Sequence, residues 1–426
     1  MSPYPREEMT IRLSTRQNAI LFLTTFLIFS GIGMGSRAVT VAGLFLLTLV
    51  LLDWFAGSRA LRAISVKRRH FPRAFENDSV AVDIEVLNSG NGPANLLEVT
   101  DSFAPGNNYL IRSMALELPP HSRMPFRYEE RCSRGRGLHL VGPMRLRLGS
   151  PLGLFVFRDT RDDVSTITVY PQAASIPHFA VLGNGTHFNI GEQVVQRIGR
   201  SEEFASLRGY RPGDPPRLIH WPSSARHQTL LVKEFARNVV TEVTIYIDLA
   251  ITSVSGLGGL SSAEYRIKAA AAIATETIRK HHLCKLVAAR SPRKETSLGG
   301  GQRHLITMLD WLALIKPEGE ASLETELIGD SRRLKPGATV VLVMSSIHFD
   351  PAQLEQALRL LKTRQVRAIA VVVDDRTFVK LRSEQEQFYA KAPPLDHLIA
   401  FLRNSGCDVF TLGISENIGQ KLGIPA

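Results

Sequence analysis

The sequence predicts a membrane-anchored, multidomain protein: an N-terminal transmembrane helical hairpin, then a β-sandwich, then an α/β domain of Rossmann-like kind. Three patterns predict it. Two long apolar stretches open the chain, short alternating runs separated by turn residues follow, and the second half alternates β-branched apolar runs with helical segments. At 426 residues the chain exceeds what one core organises, and 44% hydrophobic residues suffice to fill more than one.

The apolar stretches run from about Asn18 to Gly35 and from about Ala38 to Phe55. As helices each extends roughly 27 Å, close to the thickness of a bilayer's hydrocarbon. A signal peptide competes for the first stretch, but no A-x-A pattern follows it and the second stretch comes at once. The connection Gly31–Arg37 is too short for a domain, so residues 1–60 read as an N-terminal segment with two transmembrane helices. Arg6, Arg12 and Arg16 precede the pair, and Arg59, Arg62, Lys67, Arg68 and Arg69 follow it, with Arg37 in the turn. The positive-inside rule then expects both ends, and the soluble domains, in the cytoplasm, behind a two-pass anchor in the cytoplasmic (inner) membrane. Asp53, Trp54 and Arg59 read as interfacial anchors.

Residues 61–173 carry the sandwich pattern. Short runs at Val80–Leu87, Leu96–Val99, Leu116–Leu118, Phe126–Glu130, Leu138–Val141 and Met144–Leu148 are separated by Asn-Gly, Pro-Gly and Pro-Pro signals. Residues 174–200 form a Gly/Asn-rich linker. Asn77-Asp-Ser79 and Asn184-Gly-Thr186 match the glycosylation sequon, and a cytoplasmic location makes both chance matches.

Residues 201–426 hold the α/β domain. Strands are expected at Glu242–Ala250, Lys285–Ala289, Thr339–Ser345, Val366–Val373 and Asp408–Leu412, with Glu295–Leu298 returning as a hairpin. Helices are expected at Ser261–His281, Gln302–Ile315, Pro351–Lys362 and Pro394–Arg403. Such alternation implies a buried parallel sheet.

A net charge of +11 permits an anionic partner, but no zinc-finger spacing, RNP-type strand or long basic helix accompanies it, so no nucleic acid is expected. Cys132, Cys284 and Cys407 are widely spaced and odd in number with no C-x-x-C, so neither a zinc site nor a disulfide framework is suggested, and a reducing compartment is favoured.

The most informative segment is Glu203–Phe235, EFASLRGYRPGDPPRLIHWPSSARHQTLLVKEF. Pro212-Gly213-Asp214 is turn chemistry, and Arg208, Tyr210, Arg211, Arg217, His220, Trp221, Ser224, Arg226 and Lys233 surround it. The order F-x-x-L-R-x-Y-x-x-G-D-x-x-R-x-I-x-W-x-x-S-A-R-x-x-x-L-x-V-K-E-F closely resembles the signature of the domain of unknown function 58 family (DUF 58). Arg134-Gly-Arg-Gly-Leu-His-Leu-Val-Gly-Pro143 and Ser150-Pro-Leu-Gly-Leu-Phe155 resemble it too, with Ser150 and Leu152 in place of the family's Asp and Phe. Gly209, Pro216, Pro222 and Ala236 also depart from the family's usual residues. The resemblance implies a bacterial membrane-anchored protein with a von Willebrand factor A-like domain, and the antiparallel return after the second α/β strand suits that fold.

Two physical readings of the signature stand side by side: a clamp in which Arg–Asp pairs pin irregular backbone, and an exposed recognition patch. Trp221 and Asp214 are expected to be structural, and Arg211 and Arg226 to serve recognition. His220 is expected to brace the segment rather than act as a base.

In von Willebrand A domains the carboxyl edge of the sheet can hold a divalent cation through Asp-x-Ser-x-Ser. Here the stretch reads Asp248-Leu249-Ala250-Ile251-Thr252, and Ser345-Ser346 follows a later strand where such sites often add an Asp. Asp248 and Thr252 are thus the remains of a degenerate adhesion site, too poor in charge for tight metal binding. Ser255–Ser261 reads as a flexible Gly-rich loop, and Asp374-Asp375 as solvated loop acids. There is no G-x-S-x-G, H-E-x-x-H or Walker A sequence, so no catalytic residues and no cofactor are assigned.

These readings give a non-enzymatic, membrane-tethered scaffold or adaptor. The resemblance implies a MoxR-type AAA+ ATPase as partner, with a transglutaminase-like membrane protein as a second, in complex assembly or maturation. The alternative is a divalent-metal-dependent binder or enzyme acting on an anionic ligand at the Asp248 edge.

Overall fold

The structure is a computed structural model that describes residues 15–107, 110–176, 179, 202–237, 240–378, 394–414 and 416–422. The chain divides into two compact units, Met1–Gln172 with Leu309–Ile315, and Ala173–Met308 with Lys316–Ala426. Most of the expected linker, with Arg6 and Arg12, lies outside the described residues.

The first unit begins with helices α1 (Thr15–Gly33) and α2 (Arg37–Ala63). Gly35, at φ +65°, turns the chain between them. The two helices approach closely at Gly43, where a Cβ would lie 2.7 Å from Ile28 Cγ1. Small residues permit such contacts between apolar helices. Phe22, Phe26, Phe29, Phe45, Leu51 and Phe55 point outward. Among the described residues α2 alone is long and apolar enough to cross a membrane, and the apolar part of α1, Asn18–Gly33, is shorter.

Helix α2 runs eight residues beyond the expected end at Phe55, because Ala56–Ala63 is rich in helix formers. This extension packs on the strands that follow. Gly57 lies against the Phe157 ring, where a Cβ would come within 2.3 Å. Asp53 is 3% exposed and accepts hydrogen bonds from Ser150 Oγ (2.6 Å) and the Leu152 amide (2.7 Å). The reading of Asp53 as an interfacial anchor is therefore corrected: its carboxylate closes a protein contact.

Three sheets follow. One orders β1 (Ile64–His70), β3 (Ser79–Asn88) and β6 (Arg123–Arg131), and another orders β2 (Arg73–Phe75), β10 (Ser165–Tyr170) and β7 (Gly137–Val141). The third orders β5 (Leu110–Leu118), β4 (Ala94–Ser102), β8 (Met144–Gly149) and β9 (Val156–Arg161). Inward residues such as Val82, Ile84, Leu97, Phe103, Leu146 and Phe157 form the core. Strands β1, β2, β9 and β10 were not expected from the sequence. In β1 the inward series Ile64, Val66, Arg68 ends in a charge, which hides the alternation. Arg68 is not a solvated flank of the membrane segment: its side chain is 1% exposed and pairs with Asp101 at 2.7 Å. Tyr128 Oη also donates to Asp101 (2.8 Å), so the buried charges are satisfied together.

The second unit opens with an antiparallel ribbon, β11 (Glu202–Gly209) and β12 (Leu231–Arg237), enclosing helix α3 (Trp221–His227). A six-stranded sheet follows in the order β15 (Lys294–Glu295), β14 (Leu283–Ala289), β13 (Glu242–Asp248), β16 (Thr339–Ser345), β17 (Arg367–Val373), β18 (Asp408–Leu412). All its pairings are parallel except β14 with β15. Strands β13, β16 and β17 are almost wholly buried, as their apolar runs require, whereas the edge strand β15 is exposed. Helix α4 (Ser262–Arg279) packs its alanine-rich face on the sheet. Helix α5 (Gln302–Leu314) begins in this unit and from Leu309 belongs to the first; α6 (Leu323–Asp330), which the sequence did not predict, α7 (Pro351–Thr363), α8 (Leu395–Asn404) and α9 (Ile418–Lys421) complete the second unit. Leu327, Leu354, Leu358, Leu361, Leu398 and Leu402 from α6, α7 and α8 join alternate strand residues in a second core.

Candidate functional site

The signature segment folds as a framed module. Gly209 pairs with Leu231, and the Tyr210 amide donates to Leu230 O (2.8 Å), closing the ribbon. Arg211–Asp214 then forms a tight turn with the Asp214 amide bonded to Arg211 O (3.0 Å) and Gly213 at φ +105°. Proline then glycine with positive φ is the residue order such a turn demands. Asp214 locks it: Arg208 donates to both carboxylate oxygens (2.7 and 2.8 Å), and the Arg211 amide donates as well (2.8 Å). The Arg208 hydrogen bonds, first among these contacts, hold the Asp214 carboxyl down to about 2 from 3.8. The turn's ion pair is therefore complete above pH 3.8 and is lost as pH falls through about 2.

Pro216 opens a short 3-10 turn, Pro216–Leu218, and Pro222 occupies the first turn of α3, where no amide partner is needed. Both departures from the family pattern thus suit the local backbone. His220 caps α3, accepting from the Ser223 amide (3.3 Å), so it braces the segment. Ser224 is buried and ties α3 to the ribbon, donating to His220 O (2.9 Å) and accepting from the Leu231 amide (2.9 Å). Ile219 and Val232 fill the space behind.

Trp221 does not anchor this module. It is 63% exposed, and the reading of it as structural is corrected. Position 221 is the first residue of α3, so its side chain leaves the frame that Ser224 and Ile219 fix from behind. Tyr210, Arg211, Arg217 and Arg226 are also exposed, and Lys233 is half-buried on β12. The expected residues therefore separate into a frame (Arg208, Gly213, Asp214, His220, Ser224) and an outward set that is aromatic and cationic.

At the carboxyl edge of the six-stranded sheet the structure assembles residues the sequence did not connect. Asp248, at the end of β13, pairs with Arg266 of α4 at 2.8 Å and accepts from Ser253 Oγ (2.8 Å) and the Ala250 amide (3.2 Å). Ser253, not Thr252, supplies the hydroxyl, and Thr252 is exposed. Asp375 is fully buried, contrary to its reading as a solvated loop acid, and accepts from Ser345 Oγ (2.6 Å) and the Ser346 amide (2.9 Å). The Gly-rich Ser255–Ser261 segment is shaped by Gly256 at φ +83° and a 3-10 turn at Gly258–Leu260, and Ser261 caps α4. Among the described residues no group of three or more His, Cys, Asp or Glu side chains is placed to hold a metal.

No curated protein matches the chain. Among solved structures, a CARDB domain from Pyrococcus furiosus is 12% identical over 25% of this chain and 86% of its own, with a TM-score of 0.20. The C-terminal domain of wzt is 10% identical over 25% of this chain and 73% of its own, with a TM-score of 0.19. Scores this low carry no argument about fold or function. The sequence family is more informative: residues 206–382, from the signature ribbon past β17, match the model described as "Protein of unknown function DUF58". That match supports the DUF58 family for this chain.

Proposed function

We propose that the protein is a membrane-tethered, non-enzymatic adaptor that binds its partner through the signature module. One observation carries the reading: Trp221 stands 63% exposed on a helix fixed from behind by hydrogen bonds. Exposed Arg217 and Arg226 share its segment. Tryptophan and arginine dominate binding energetics when they stand on a preorganised frame, and solvating such a tryptophan has no benefit for folding.

The second unit is read as a von Willebrand factor A-like domain. The strand order β15-β14-β13-β16-β17-β18, with the antiparallel strand at the edge, supports it. The N-terminal helices are read as a two-pass hairpin in a bacterial inner membrane, with both units cytoplasmic. The Gly43 contact and the outward phenylalanines support that reading. The likeness to the DUF58 family supports a MoxR-type AAA+ ATPase as the partner and assembly or maturation of complexes as the task, with a transglutaminase-like membrane protein as a further component.

The test is binding of a purified MoxR-type AAA+ ATPase from the source organism to the full chain in nanodiscs. Trp221→Ala and Arg226→Ala should each weaken binding by about tenfold or more, worth about 1.4 kcal/mol, while leaving the melting temperature unchanged. Wild-type affinity in both variants overturns the assignment of the module as the binding surface.

A further inference from the structure

We infer that the guanidinium of Arg266 is an internal replacement for a divalent cation at the carboxyl edge of the six-stranded sheet, so that this edge is held without metal. The von Willebrand A-like reading implies such a cation there, and the residues present do not fit one. The oxygen donors for a hard cation are in place: the Asp248 carboxylate after β13, the Asp375 carboxylate after β17, and the hydroxyls of Ser253 and Ser262. Their common centre is filled by this chain's own charge.

Arg266 is fully buried. Its Nη1 donates to Ser253 Oγ (2.8 Å) and Asp248 O (2.9 Å), and pairs with Asp248 Oδ2 at 2.8 Å. Its Nη2 donates to Ser262 Oγ (3.0 Å) and lies 3.8 Å from Asp375 Oδ1, an oxygen that makes no hydrogen bond. Burial pushes the Asp248 carboxyl up, toward its neutral form, and the adjoining guanidinium opposes that, so the arginine is what favours charge on these buried acids. A guanidinium stays positive at every physiological pH, and no chelator removes it. A metal bound to the same oxygens would have to displace it, since two cations in one cage repel. The arginine also joins the end of β13, the Ala250–Ser261 loop, the start of α4 and the turn after β17. The edge is thereby preset, whereas a metal would leave it responsive to ion supply.

The experiment uses the full chain in neutral detergent. Thermal unfolding is followed in chelator and in millimolar Mg²⁺ or Mn²⁺, with bound Mn²⁺ counted by electron paramagnetic resonance. Wild type should bind no Mn²⁺ at this edge and melt at one temperature in both buffers. Arg266→Gln, which keeps bulk and removes charge, should melt lower in chelator and recover several degrees with Mg²⁺ or Mn²⁺, because a cation that binds only the folded form stabilises it. Adding Asp375→Asn to that variant should abolish the recovery. Arg266→Lys, which keeps the charge, should fold and gain no metal response. If Arg266→Gln folds only when prepared in Mg²⁺, the inference is supported. If it fails to fold in either buffer, or folds without any metal response, the inference is overturned. It is equally overturned by a wild-type Mn²⁺ site that Asp248→Asn removes.

Discussion

Replacing Asp53 with alanine tests whether the end of α2 packs as part of the first unit's sheets. The carboxylate accepts from Ser150 Oγ at 2.6 Å and from the Leu152 amide at 2.7 Å, and Ser150 is 2% exposed. Removing the acceptor strands a buried hydroxyl, at about 1.5–3 kcal/mol for a hydrogen bond to a charged group. Leu152 is exposed, so its amide can turn to water and costs about 0.5–1 kcal/mol. The sum is roughly 2–4 kcal/mol, which lowers the melting temperature of a unit this size by roughly 4–16 °C. Calorimetry of the full chain in detergent reads it as a shift in one transition, with the second unit's transition unmoved. A double-mutant cycle with Ser150→Ala should give a coupling of about 1–2 kcal/mol. Additivity of the two changes within about 0.5 kcal/mol would refute the contact.

Asp214→Ala, Arg208→Ala and Gly213→Ala should each speed tryptic cleavage after Arg217, because each removes a lock of the Arg211–Asp214 turn; unchanged digestion would show that the turn holds without them. Burial pushes the thiols up to about 11 for Cys132 and about 12 for Cys284 and Cys407, from an ordinary 9.0. Their share of stability is present below pH 9.0 and is lost as pH rises toward those values, and mass spectrometry should find no alkylation by iodoacetamide at pH 8 until the chain is denatured. A reporter fused at Ala426 should read cytoplasmic, and a periplasmic signal there refutes the topology.

What the sequence showed depended on how far apart the decisive partners lie. Strand β16 appears within its expected bounds because a buried parallel strand is a nearly unbroken apolar run. The Arg211–Asp214 turn was legible because Pro, Gly and Asp act on their immediate neighbours. Arg266 gave no signal: its partners are 18 residues away at Asp248 and over 100 away at Asp375, and on the helix it reads as one more polar position. Trp221 was misread for the opposite reason. Tryptophan is usually buried, and only the capping geometry that puts residue 221 at the start of α3, with Ser224 turned inward, sends it to solvent. The alternation in β1 was lost to Arg68, whose partner Asp101 lies 33 residues on.

The join between α2 and β1 has a consequence for any tethered reading. Ala63 ends the helix and Ile64 begins the strand, with no linker between them. The last carbonyls of a helix need outside donors. Here Ser89 supplies its amide (3.0 Å) and hydroxyl (2.7 Å) to Ala63 O, and Arg161 donates to Leu61 O (3.3 Å) and Ile64 O (3.2 Å). The first unit's strands and loops thus cap the helix, and the Gly57–Phe157 and Asp53–Ser150 contacts hold it from the side. Phe55 still points outward beside these contacts, so the held face and the exposed apolar face of α2 overlap along its last turns. A helix capped this tightly leaves no free linker before β1, so whatever holds α2 holds the first unit's strands with it rather than on a leash.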